Sequence, residues 1–224
     1  MTLHIPATNP GPHSAEHAVR TGVAPSDARG ALIMVHGRGA IAESILGLLA
    51  ELVSDDLHVV APQADSNTWY PYSFLEDISS NEPYISSALA TMDEVTERII
   101  QAGIPAERIC FLGFSQGACL ASEYVARRPR RYGGLFALSG GLIGPPGTPR
   151  DYPGSLSGTP AFFGCSDQDI HIPKERVTES AETLESMGAE VTCRLYPGMG
   201  HRVDKDEIDF INQILQNVGR DHSV

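Results

Sequence analysis

The sequence predicts an α/β fold in which helices flank a mostly parallel sheet of six to seven strands. Short apolar runs rich in β-branched residues alternate with longer segments of helical period, which is the pattern of a parallel sheet covered by helices. The first clear run, residues 31–36 (ALIMVH), is apolar throughout, as is typical of a strand buried on both faces. No run approaches the ~20 apolar residues that a membrane span requires, so we expect no stable membrane insertion.

Six strands and five helices are predicted along the chain. The strands are residues 31–36, 57–61, 108–112, 134–138, 161–165 and 190–196, and the helices are residues 42–54, 83–102, 116–128, 174–187 and 205–217. A further strand near residues 17–23 would make seven. Two long connections remain. One, residues 63–82, contains an aromatic loop (residues 69–75), and the other is a Pro-rich loop (residues 140–159).

Length and composition predict one domain over residues 1–224, with residues 1–28 as an N-terminal extension and residues 219–224 as a polar tail. A net charge of −12 argues against nucleic acid or an anionic membrane surface as a partner, since both are polyanions. The N-terminus lacks the features of a secretory signal, which favours a cytoplasmic location. The oligomeric state stays open between a monomer and a homodimer.

Four cysteines, at positions 110, 119, 165 and 193, show neither CxxC pairing nor zinc-ligand spacing. Cys110 and Cys165 lie inside apolar runs. We therefore interpret all four as small structural hydrophobes and expect no metal site.

The pentapeptide GFSQG, residues 113–117, is the strongest candidate for a catalytic element. An apolar strand precedes it and a convincing helix follows it, as a nucleophile elbow requires. The turn holds its serine in a strained conformation, and the glycines leave no Cβ to collide with neighbouring elements. The alternative is a serine that merely caps a helix. The context favours Ser115 as a nucleophile.

A serine nucleophile needs a histidine as its base and a carboxylate that orients the histidine. After a nucleophile elbow of this type, the chain order is serine, then the acid, then the histidine. His201 lies in a glycine-containing loop between the last strand and the last helix, where this order places the base. Two aspartates compete as the acid. Counting from Gly164 favours Asp167, whereas counting back from Pro173 favours Asp169, which we prefer. His171 is expected at the rim of the site.

Two backbone N–H groups should stabilise an oxyanion. One belongs to Gln116, immediately after the nucleophile. The other is predicted to come from the loop after the first clear strand (HGRG, residues 36–39), from the N–H of Arg38. His36 is expected to fix this loop by hydrogen bonds.

These motifs together resemble those of the phospholipase/carboxylesterase family of α/β-hydrolases, which includes the acyl-protein thioesterases. The resemblance covers about residues 29–218 and carries HGRG, GFSQG, the Asp-x-x-hydrophobic-Pro segment ending at Pro173, and YPGMGH, residues 196–201. It implies an α/β-hydrolase fold without a large lid domain and ester or thioester hydrolysis through an acyl-enzyme, with no cofactor. It also implies that Ser115, Asp169 and His201 form the triad. The family usually has an apolar residue at position 38.

The aromatic loop and the Pro-rich loop both follow carboxyl ends of strands, where open α/β sheets bind ligands. We expect them to form the pocket for a small acyl ester, with thioesters and lysophospholipids as further candidates, and name as binding residues Trp69, Tyr70, Phe74 and Leu75. The Arg38 side chain suggests acidic substrates. Alternative functions on the same fold are a lactonase, a C–C hydrolase or an acyltransferase, and, in another class, a non-catalytic binding protein.

Overall fold

In a computed structural model, which describes residues 6 and 8–220, the chain forms one seven-stranded sheet with helices on both faces. The strands are β1 (Val19–Gly22), β2 (Gly30–Val35), β3 (Leu57–Ala61), β4 (Ile109–Phe114), β5 (Gly134–Leu138), β6 (Pro160–Ser166) and β7 (Glu190–Tyr196). The helices are α1 (Ala42–Leu46), α2 (Tyr84–Gln101), α3 (Gln116–Arg127), α4 (Lys174–Ser186) and α5 (Lys205–Leu215). The predicted fold class is confirmed.

The strand order is β1-β3-β2-β4-β5-β6-β7, and β1 alone runs antiparallel to its neighbour. β1 lies at the sheet edge inside the predicted N-terminal extension, of which residues 1–5 and 7 lie outside the described residues. Residues 221–224 of the predicted polar tail also lie outside them. None of the helices in the described chain combines the length and apolarity that crossing a bilayer requires. The cytoplasmic location stays a prediction.

Alternate side chains of the central strands enter two separate cores. Ile33 and Val35 of β2 face the core that α2, α3 and α4 cover, while Leu32 and Met34 face the core that α1 and α5 cover. Both faces of β2 are therefore buried, as its uninterrupted apolar run predicts. The parallel strands β2 and β4 end side by side at one edge of the sheet, and the turns that follow them build the candidate site.

Several predicted boundaries are shifted, most of them by one or two residues, and two of the differences have a local cause. The helix predicted over residues 42–54 ends at Leu46 and continues as a 3-10 helix, Gly47–Glu51. Gly47 stands at the junction, and glycine costs about 1 kcal/mol in a helix interior. The strand predicted to end at Leu112 extends to Phe114, because its pairing with β5 runs up to Phe114.

Candidate active site

Ser115 lies in the sharp turn between β4 and α3. Its backbone adopts φ 56° and ψ −121°, a region that costs a residue with a Cβ on the order of 1–3 kcal/mol. Ser115 N–H donates to Leu138 O at 2.9 Å, and this bond ties the turn to β5. The elbow therefore presents the serine hydroxyl above the sheet edge, in a conformation that the neighbouring strand holds.

The two glycines of the elbow are required by close approach. A Cβ on Gly117 would lie 2.1 Å from Val35 O of β2, and a Cβ on Gly113 would lie 2.4 Å from the carbonyl oxygen of Gly117. Either contact is far inside van der Waals distance. α3 can thus approach the end of β2 only because these positions have no side chain, which is the role that the sequence predicts for them.

The structure brings Ser115, His201 and Asp169 into one hydrogen-bonded row. His201 Nε2 lies 2.9 Å from Ser115 Oγ, and His201 Nδ1 lies 2.7 Å from Asp169 Oδ2. The His201 side chain is 20% exposed, whereas that of Asp169 is fully buried. With Nδ1–H donating to the carboxylate, Nε2 is left as an acceptor for the serine proton. This arrangement can raise the nucleophilicity of a serine.

The carboxylate of Asp169 is held by donors on both oxygens. Its Oδ1 accepts from the N–H groups of His171 (2.8 Å) and Ile172 (3.1 Å). Burial would raise the pKa of Asp169, but the hydrogen bonds from His201 and these two backbone groups outweigh it and leave the pKa below its usual value. Asp169 therefore stays ionised at neutral pH.

Asp167, the competing aspartate, has a different position. Its Oδ1 accepts from Gly198 N–H at 2.8 Å, and the neighbouring Ser166 Oγ accepts from Gly200 N–H at 3.0 Å. Both contacts lie in the loop that carries His201. Asp167 thus holds the backbone of the histidine loop, whereas Asp169 contacts the imidazole itself.

The loop after β2 approaches the nucleophile closely. A Cβ on Gly37 would lie 3.4 Å from Ser115 Cβ, so the next residue, Arg38, stands beside the serine. His36 is fully buried, and its Nε2 accepts from Ala64 N–H at 3.1 Å, so its Nδ1–H donates to Gly37 O at 2.8 Å. The imidazole therefore fixes the shape of this loop. Burial lowers the pKa of His36, which keeps the ring neutral.

Gln116 begins α3, so its N–H has no acceptor within the helix and is available to a ligand. Its side chain turns to the aromatic loop. Oε1 accepts from Trp69 N–H at 2.9 Å and from Thr68 Oγ1 at 3.3 Å, while Nε2 donates to Tyr70 O at 2.8 Å. One residue thus supplies a backbone donor beside Ser115 and positions the aromatic loop.

A pocket of about 690 Å³ opens beside Ser115 and His201, within the size range of small-molecule sites. Tyr70 and Phe74, two of the four predicted binding residues, line it together with Tyr72 and Ile172. His171 lies at its rim, with its ring edge-on to that of His201 at 4.8 Å.

Two predicted binding residues lie outside this pocket. Trp69 is fully buried, its Nε1–H donates to His36 O at 3.0 Å, and its ring packs on that of His36 at 5.1 Å between centroids. Leu75 packs against the core on the side of α2 and α3. Trp69 instead packs against the loop that carries Arg38, and the hydrogen bond from its indole N–H makes the burial of this side chain favourable.

The Pro-rich loop also contributes no residue to the pocket lining in the described chain, contrary to the prediction. Leu142 and Ile143 of this loop are fully buried in the core. Its link to the site is indirect, since Gly144 N–H donates to Phe74 O at 2.7 Å. The loop thus packs behind the aromatic loop.

Cys119 is interpreted from the sequence as a structural hydrophobe, but it also lines the pocket. It follows Ser115 by four residues, one turn along α3, and its N–H donates to Ser115 O at 3.0 Å. This spacing was the available signal, because residues i and i+4 share a helix face. Burial raises the pKa of the Cys119 thiol to about 12, so the thiol is neutral.

Comparisons with known proteins show the family and the fold of this chain. The model of the phospholipase/carboxylesterase family matches residues 19–218. The crystal structure of a phospholipase/carboxylesterase from Dyadobacter fermentans is 42% identical, covers 93% of this chain and 100% of its own, and superposes with a TM-score of 0.88.

Two curated relatives are more distant. Lysophospholipase-like protein 1 of Mus musculus is 25% identical over 215 residues, which cover 88% of this chain and 90% of the mouse protein. Acyl-protein thioesterase 1 of Gibberella zeae is 32% identical over 122 residues, 52% of this chain and 51% of the fungal protein. The match therefore spans about half the length of that thioesterase. Since the family model covers nearly the whole chain, this protein belongs to the phospholipase/carboxylesterase family of α/β-hydrolases.

Proposed function

We propose that this protein is a serine carboxylesterase that hydrolyses small acyl esters through an acyl-enzyme intermediate. The observation that carries the proposal is the row of hydrogen bonds from Asp169 through His201 to Ser115 at the mouth of the pocket. Thioesters and lysophospholipids remain candidate substrates. Membership of the family supports the reaction class.

In the first half-reaction, Ser115 Oγ attacks the ester carbonyl carbon while His201 Nε2 takes its proton. The carbonyl oxygen becomes an oxyanion, for which the N–H groups of Gln116 and Arg38 are the proposed donors. The tetrahedral intermediate collapses by breaking the bond to the leaving oxygen, and His201 returns the proton to it. The alcohol departs and the acyl group stays on Ser115.

In the second half-reaction, water attacks the acyl-enzyme and gives its proton to His201. The new oxyanion uses the same two donors, and collapse returns the proton to Ser115 and releases the acid. Asp169 stays ionised throughout. It holds the tautomer of His201 and stabilises the imidazolium that forms in each half.

The experiment that tests the proposal is hydrolysis of 4-nitrophenyl esters of graded acyl length by wild type and Ser115→Ala. We expect the variant to lose about four to six orders of magnitude in kcat. Ser139→Ala is the matched control, because Ser139 also has a positive φ, 50°, directly after the neighbouring strand β5. The control should stay within about threefold of wild type. Ester hydrolysis that survives Ser115→Ala would refute the mechanism.

The same assay decides between the two aspartates. Asp169→Asn removes the carboxylate that sets the His201 tautomer, and we expect kcat to fall about 10⁴-fold. Asp167→Asn keeps an oxygen that can accept from Gly198 N–H, so we expect kcat to fall less than about tenfold. Equal losses in the two variants would contradict the assignment of Asp169 as the triad acid.

A further inference from the structure

The charge of the pocket is carried by one side chain. Apart from the imidazoles of His171 and His201, the described residues that line the pocket include one basic side chain, Arg38, and no aspartate or glutamate. This differs from the chain as a whole, which has 28 acidic and 16 basic residues.

The Arg38 guanidinium is held in place by neutral partners. Nη1 donates to Pro71 O at 2.8 Å and to Thr68 Oγ1 at 3.2 Å, and Nη2 donates to Tyr72 O at 2.5 Å. No ion pair with a carboxylate is found for it within the part of the chain that the structure describes. These contacts orient the guanidinium without neutralising its charge.

Some arginines of the protein form ion pairs, whereas Arg131, like Arg38, donates to backbone carbonyls. Arg128 pairs with Asp93 at 2.7 Å, and Arg150 pairs with Glu179 at 3.1 Å. Arg38 is exposed and faces a concave surface, and the arginine fork matches carboxylates well. This guanidinium can therefore bind an anion that enters the pocket from outside the chain.

The carboxylate of Asp169, in the catalytic row, does not form an ion pair with Arg38. Asp169 is buried behind His201, and its two oxygens accept from His201, His171 and Ile172. Arg38, in contrast, follows Gly37, which packs against Ser115. Because Ser115 and Arg38 line the same pocket, one substrate can place its carbonyl carbon at the nucleophile and an anionic group at the guanidinium.

We propose that the preferred substrates are esters that carry a free carboxylate, which binds the Arg38 side chain. The inference rests on the proposed esterase activity and names the substrate class of the same pocket. The carboxylate can belong to the acyl part or to the alcohol part of the ester, and the test below has an arm for each.

The test uses pairs of esters that differ in charge and not in size. For the acyl side, the pair is the mono-4-nitrophenyl ester of adipic acid and its terminal carboxamide. For the alcohol side, it is the butyrate ester of 3-(4-hydroxyphenyl)propanoate and its carboxamide, whose leaving groups are nearly equal in acidity. The measured quantity is the ratio of kcat/KM for the acid to kcat/KM for the amide.

For wild type we expect a ratio of about three to ten in at least one pair at low ionic strength. The ratio should fall towards one as salt rises to 1 M, where the Debye length is only about 3 Å. Arg38→Gln should abolish the preference, and Arg38→Lys should keep part of it. A purely structural role of Arg38 would change the rates of acid and amide equally and leave their ratio unaltered.

Arg108→Gln is the control, because it removes the same charge at the opposite end of β4 and should leave both ratios unchanged. The inference is overturned if wild type shows no preference in either pair, or if Arg38→Gln keeps it. Calorimetric binding of the same esters to Ser115→Ala gives the comparison without turnover. Failure of the esterase proposal would look different, since then no ester is hydrolysed or Ser115→Ala stays active.

Discussion

The aromatic loop and the Pro-rich loop occupy equivalent positions in the fold but have different roles. The first follows β3 and the second follows β5, both at carboxyl ends of parallel strands. Tyr70 and Phe74 of the aromatic loop line the pocket, whereas Leu142 and Ile143 of the Pro-rich loop lie in the core. Position at the carboxyl end of a strand is therefore not sufficient to make a loop part of the site.

The difference follows from what holds each loop. The aromatic loop accepts hydrogen bonds from Gln116 and Arg38, which both lie beside Ser115. These bonds hold the loop at the site. The Pro-rich loop is held by charged side chains of α3 and α4. Buried Glu123 accepts from Ile143 N–H at 2.9 Å, and buried Arg176 donates to Leu142 O at 2.7 Å. These contacts draw the second loop away from the pocket.

The strongest test of this contrast removes an anchor of the Pro-rich loop. Glu123 is fully buried, pairs with Arg127 and accepts from the Tyr152 hydroxyl at 3.0 Å. Glu123→Ala leaves these donors without their acceptor, so we expect the free energy of unfolding to fall by about 3–5 kcal/mol in urea denaturation. At a temperature where the variant is folded, kcat/KM for a neutral ester should stay within about threefold of wild type.

Glu123→Gln is the matched variant, since it keeps an acceptor oxygen of the same reach and should lose less stability. The contrast between the loops would be wrong if folded Glu123→Ala lost most of its activity. In that case the hydrogen bond from Gly144 N–H to Phe74 O would transmit the shape of the Pro-rich loop to the pocket wall.

The sequence predicts the sheet well, because buried strands leave an unbroken apolar run and the elbow lies between a strand and a helix. Leu57–Ala61, Gly134–Leu138 and Glu190–Tyr196 have the predicted bounds. It also singles out the three residues that the structure brings into one row, since chain order and glycines restrict the choice to a few positions.

The functions of the loop residues could not be predicted in the same way. An irregular loop has no period that separates its two faces, so Trp69 and Tyr70 look equivalent in sequence. Both rings are buried, and only tertiary contacts, such as the hydrogen bond from Trp69 Nε1–H to His36 O, decide which of them lines the pocket. Similarly, the buried charged residues that hold the Pro-rich loop, Glu123 and Arg176, lie on α3 and α4. Their hydrogen bonds to the backbone of that loop form only in the folded chain, so the sequence does not indicate them.

A smaller effect is expected where the aromatic loop is released from α3. Gln116→Ala keeps the backbone N–H beside Ser115 but removes three hydrogen bonds to residues 68–70. We expect kcat/KM for a neutral ester to fall about tenfold to hundredfold, because displacing a pocket wall by about 1 Å misplaces the substrate. The free energy of unfolding should fall by about 1–2 kcal/mol.

Gln63→Ala is the matched deletion. Its side chain also makes three hydrogen bonds, to Ala42 N–H, Ala64 O and Asn67 Oδ1, in the same connection but away from the pocket. It should lose a similar amount of stability and keep kcat/KM within about threefold. If the two variants lost activity equally, loss of rigidity anywhere in residues 63–82 would explain the effect, and the contact of Gln116 with the aromatic loop would have no special part in shaping the pocket.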